Sequence, residues 1–138
     1  MRRYLFLFFS SIAVLAQAQT AENKSLEVGQ FVRINACKNG QAEFVSMDVY
    51  ARTKAYDKKK VDSLSGEGLL DVFFSDKSID AKRLPCNMGG FKYKIAALHE
   101  FAIEGQNKRV MLLYTSYPLT LIWVELDKAL ELGEITFD

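Results

Sequence analysis

From residue 91 to residue 104 the side chains alternate. Phe91, Tyr93, Ile95, Ala97, His99, Phe101 and Ile103 fall on one face of an extended chain, and Lys92, Lys94, Glu100 and Glu104 on the other. Successive residues of a strand point to opposite sides of its sheet, so this stretch reads as a long β-strand with one buried face. The same period recurs upstream. Val28, Val32, Ile34 and Ala36 share one face of a first strand. Val45, Met47, Val49 and Ala51 share one face of a second, with Ser46, Asp48, Tyr50 and Arg52 opposite. Asn39-Gly40 between them is a two-residue hairpin signal, because both residue types tolerate positive φ.

The remaining segments are shorter or less regular. Residues 69–74, LLDVFF, read as a short apolar strand. Residues 110–115, VMLLYT, and 119–126, LTLIWVEL, are apolar on both faces, which places them centrally or under cover on both sides. Residues 53–68 and 75–90 are polar and read as two long loops. Residues 127–132 are balanced between a short helix, capped by Asp127 and stopped by Gly133, and a continuing strand; residues 134–137 return as a last short strand. The fold class this predicts is mostly β: an antiparallel sandwich or small barrel of about six to seven strands, with room for one short C-terminal helix. A sheet packed on one helix is the alternative.

Residues 1–18 stand apart. Arg2 and Arg3 form a positive start, residues 5–15 are apolar except for Ser10 and Ser11, and Ala16-Gln17-Ala18 is a small-x-small site. That order is a secretory signal peptide. Its apolar run of about 11 residues is roughly half of what a bilayer-spanning helix needs. The expectation is cleavage after Ala18, a single β-rich domain over residues 19–138, and a secreted or periplasmic protein that does not span a membrane after processing. Cleavage would leave 120 of the 138 residues, enough for a core.

Export bears on the cysteines. In an oxidising compartment thiols pair, and Cys37 and Cys86 are the only two, so one intramolecular bond is available. It closes a span of 49 residues (86 − 37), for which chain entropy gives about 4 kcal/mol. There is no Cys-x-x-Cys and only one histidine, His99, so a zinc site lacks ligands; no metal and no cofactor are expected.

Charge and chemistry narrow the function. Without Arg2 and Arg3, 16 cations face 17 acids, which does not fit a nucleic-acid binder. His99 is the one residue suited to general-base work near neutrality, and its neighbour Glu100 points to the opposite face. His99 therefore reads as a structural residue with one hydrogen-bond partner. Ser65 lies in Leu-Ser-Gly-Glu-Gly rather than a nucleophile elbow, and Asp76 with Asp80 lacks the spacing of a calcium loop. An enzyme is not expected.

Lys54, Tyr56, Lys58, Lys59 and Lys60 crowd one loop, as a solvated turn or as a protein-binding loop. The expectation is a secreted or periplasmic non-enzymatic binding protein, inhibitor- or immunity-like, that meets another protein through surface loops. The alternative is a lipocalin-like carrier of a small apolar ligand, held in a cavity lined by Tyr93, His99, Phe101 and Trp123.

Overall fold

Strand pairing in the computed structural model, which describes residues 25–137, is antiparallel throughout and joins seven strands into one sheet. Residues 1–18, read above as a secretory signal peptide, lie outside the described residues. In chain order the elements are β1 (Phe31–Ile34), β2 (Glu43–Arg52), α1 (Leu69–Phe73), β3 (Ile79–Pro85), β4 (Phe91–Ile103), β5 (Gln106–Tyr114), β6 (Thr120–Glu125), α2 (Leu126–Glu131) and β7 (Ile135–Phe137). Across the sheet they run β3-β2-β6-β5-β4-β1-β7, curled into a half-barrel. The mostly β expectation holds, as do the strand number and the short C-terminal helix.

The two-sided apolar strands sit centrally, as their sequence requires. Val110, Met111, Leu112 and Leu113 of β5 are all buried, and they divide between two cores. Met111 and Leu113 join Met47 and Val49 of β2, Ile95 of β4 and Ile122 and Val124 of β6. Residues near both ends of the sheet, Leu84 of β3 and Ile135 of β7, belong to this same cluster, so it fills the concave side. α2 closes it with Leu126 and Ala129. Val110 and Leu112 face the convex side with Ala97 and Leu121, under Leu69 and Phe73 of α1.

Several local readings need correction. Residues 69–74 form α1, not a strand. Leu69 and Phe73 are four apart and both fully buried, the spacing of one helix face, and a six-residue apolar run cannot separate the two periods. The second expected loop contains β3, the edge strand paired with β2 alone. It looked like loop because Asp80, Lys82 and Arg83 are exposed, as edge strands tend to be charged. Asn39-Gly40 makes a turn, with Gly40 at φ +81° and the Gln41 N–H donating to Lys38 O at 3.1 Å, yet it closes no hairpin. β1 pairs with β4 and β7, and β2 with β3 and β6, so the turn carries the chain across the open side of the half-barrel. β1 ends at Ile34 and leaves Ala36 exposed. Asp127 lies in the first turn of α2; the N-cap position is Glu125, which makes no side-chain cap.

Register irregularities in two strands overturn the simple alternation. In β4 the pairing with β5 shifts between Ile95 and Ala97, the mark of a bulge. Tyr93 and Ile95 therefore pack on the concave core, and Ala97 and Phe101 on the convex one. In β2 the pairing with β3 shifts between Glu43 and Asp48. Phe44 and Ser46 are buried there, while Val45 is 45% exposed, the reverse of the sequence reading.

That irregular segment is also where the sheet's ends are stitched together. Glu134, just before β7, accepts hydrogen bonds from the N–H groups of Val45 and Ser46 at 3.0 and 2.9 Å and from the Ser46 hydroxyl at 2.6 Å. Arg83 donates to the Val45 carbonyl at 2.8 Å. Backbone groups that the bulge leaves without ladder partners are thus satisfied by side chains. The Cys37–Cys86 disulfide, with Cα atoms 5.6 Å apart, fastens the crossing segment to the end of β3, and Cys86 N–H donates to Ala42 O at 3.1 Å. Among the described residues no helix is long and apolar enough to cross a membrane.

Candidate binding face

Arg52, the last residue of β2, organises the convex side. Its side chain is only 5% exposed. Nε donates to Lys54 O at 2.8 Å, and one terminal nitrogen to Val72 O and Phe73 O at 3.1 and 2.6 Å. The other reaches Ala55 O at 3.5 Å and pairs with Asp76 at 3.6 Å. The guanidinium also lies over the Tyr56 and Phe73 rings, at 5.7 and 5.8 Å from their centroids. A buried charge is tolerated only when its donors are used, and a planar fork with five N–H groups can use them in several directions at once. One side chain therefore holds the start of the 53–68 segment, the C-terminal carbonyls of α1 and the turn after it.

The segment is further pinned along its length. Asp57 accepts from Lys59 N–H at 3.0 Å and caps a 3₁₀ turn over Lys58–Lys60. Asp62 accepts from Leu64 N–H at 2.9 Å and from Ser65 N–H at 3.4 Å. These bonds, Leu64's first, hold the Asp62 carboxyl below its ordinary value. Gly66 sits flat on β4: a Cβ there would lie 2.4 Å from Ala96 O, and its φ of +74° suits glycine. Lys54, Lys58, Lys59 and Lys60 are exposed on this fixed frame. Tyr56 is different. It is half-buried edge-on against Phe73 at 5.7 Å, an anchor of the segment rather than a free contact.

From Tyr56 of this segment a chain of ring contacts runs across the convex face. Phe73 meets Phe74 at 5.1 Å, Phe74 meets Trp123 edge-on at 5.7 Å, and Trp123 stacks on Phe101 at 5.9 Å. Phe101 approaches His99 at 6.1 Å, and Tyr50 bridges Phe74 and Trp123 at 5.0 and 6.0 Å. Tyr50, Phe74, Phe101 and Trp123 are each half-buried, so the cluster is packed underneath and open above. Desolvation raises the Tyr50 and Tyr56 hydroxyls above their ordinary value; at Tyr50, Asp48 adds to the rise and Arg83 opposes it. The Asp48–Arg83 pair, 3.4 Å apart, stands at one border. Arg83 also lines a shallow open depression of about 370 Å³ with Ala42, Glu43, Phe44 and Val45.

The four residues read as a ligand cavity do not surround one space. Tyr93 is on the concave side, where its hydroxyl donates to Met88 O at 2.6 Å. Phe101 and Trp123 are on the convex side, with His99 beside Phe101. The Nε2 of His99 is buried and has no hydrogen-bond partner among the described residues. Sequence reasoning missed Arg52 and Tyr50, which it placed on a wet face, and Phe73 and Phe74, which it placed in a strand. The four-residue spacing of Leu69 and Phe73 was the available signal. Among the described residues no group of three or more His, Cys, Asp or Glu is placed to hold a metal ion. Compared with known protein families, curated proteins and solved structures, the chain matches none.

Proposed function

We propose that the protein is a secreted or periplasmic binding protein that acts by contact with another protein and not by catalysis. One observation carries this reading: a connected, half-open aromatic cluster centred on Trp123 is joined through Phe74, Phe73 and Tyr56 to a segment that carries exposed lysines and that Arg52, Asp57, Asp62 and Gly66 hold fixed. Binding energy at protein interfaces concentrates in Trp, Tyr and Arg set in packed surroundings. A segment already ordered loses less entropy when it docks. The lysines add long-range attraction for an acidic partner, which acts mainly on the association rate. Export is supported by the N-terminal sequence pattern and by the Cys37–Cys86 bond. The carrier reading loses support because Tyr93 lies across the sheet from Phe101 and Trp123.

The test is capture from the exported fraction of the source cells, followed by binding kinetics at two ionic strengths. Reversing Lys58, Lys59 and Lys60 to glutamate, with unchanged circular dichroism, should slow association roughly tenfold at low salt and by less at high salt. An unchanged rate removes this segment from the interface. A turnover that survives purification and is abolished by one polar substitution overturns the non-enzymatic reading.

A further inference from the structure

Strand β3 is an edge, and its charges are self-complementary. Among the described residues its only sheet neighbour is β2, with regular pairing from Arg52 opposite Ile79 to Asp48 opposite Arg83. Asp80, Ala81, Lys82 and Arg83 are all exposed. An edge strand offers a row of backbone donors and acceptors to another strand. We infer that β3 pairs antiparallel with β3 of a second copy of this chain, about a two-fold axis at Ala81.

The register follows from geometry and charge. In an antiparallel pair, residues directly opposite point to the same side of the sheet, so a two-fold pairing of identical strands is centred on one residue. A centre at Asp80 sets aspartate against aspartate, at Lys82 lysine against lysine, and at Arg83 arginine against arginine. Directly opposite like charges are destabilising. A centre at Ala81 avoids all three. It sets Asp80 against the partner's Lys82 twice, with the small Ala81 side chains meeting at the axis. Asp80 and Lys82 are two residues apart and so project to one face, where both attractive pairs form together. Charges on an edge commonly serve to repel other edges; here their order attracts a copy in one register and opposes the neighbouring ones.

Ala81 lies opposite Tyr50 of β2, so this pairing runs alongside the Trp123 cluster; it rests on the charge order of β3 and does not depend on the binding role proposed above. Sedimentation equilibrium of the disulfide-bonded protein should give a dimer. Asp80→Lys or Lys82→Asp alone turns both attractive pairs into repulsive ones and should raise the dimer dissociation constant about tenfold or more. The double exchange Asp80→Lys with Lys82→Asp restores the pairs in swapped order and should restore the dimer. Both positions are exposed, and circular dichroism is the check that each variant is folded. A wild-type monomer at every concentration overturns the inference, and so does a dimer that either single reversal leaves intact.

Discussion

Arg52 shows how much one side chain can organise. Its fork ties carbonyls of Lys54, Ala55, Val72 and Phe73 into one unit and stacks on two rings. Arg52→Lys keeps the charge but replaces the planar fork with a single ammonium, so some of those carbonyls lose their donor. The expected cost is about 1–3 kcal/mol in denaturant unfolding, the range for unsatisfied buried polar groups. Loosening should concentrate in the 53–78 segment, and an unchanged midpoint would show that the fork is dispensable. Nothing in the sequence marks Arg52, because it occupies a position of the second strand that alternation assigns to solvent. His99 is a smaller instance. Alternation put it on one face with Tyr93 and Ile95, which the β4 bulge turns to the other side, and no residue pattern shows what surrounds Nε2.

At the scale of elements, strands with strong periodicity were legible and irregular ones were not. β5 and β6 announce themselves as two-sided apolar runs. α1 is one and a half turns long, too short to show a period, and β3 is polar because it is an edge. The bulge in β4 was hidden because Ala96 and Ala97 are both small and apolar, so an extra residue leaves the composition unchanged. The turns of the 53–78 segment rest on carboxylates, which gives them a pH dependence. Ser78 N–H chiefly holds the Asp76 carboxyl below the ordinary 3.8, with Lys54 and Arg52 adding to it, and Asp62 is lowered by Leu64 and Ser65. A lowered folded value means the stabilisation is fully present above the ordinary aspartate value and is lost as pH falls through the folded one. Hydrogen exchange, corrected for intrinsic rates, should therefore quicken at Leu64, Ser65 and Ser78 below about pH 4 while β5 stays protected. Equal loosening of both would contradict this.

The whole molecule is a sheet with two covered faces and a stitched opening. α2 plugs the concave side, α1 and the 53–68 segment cover part of the convex side, and Glu134 with the Cys37–Cys86 bond joins the two ends. The mostly β class and the disulfide could be read from period and cysteine count, since both depend on residue type alone. The candidate face could not. It combines Tyr56 and the lysines of one expected site with Phe101 and Trp123 of another, and the contacts between them run through Tyr50, Phe73 and Phe74. Its use in binding is most directly tested by hydrogen–deuterium exchange on the complex with the captured partner. Slowed exchange is predicted in the 53–68 segment and in the backbone around Phe101 and Trp123, with the β1–β7 end unchanged. Protection confined to the β1–β7 end, with the convex aromatic cluster exchanging as in the free protein, would contradict it.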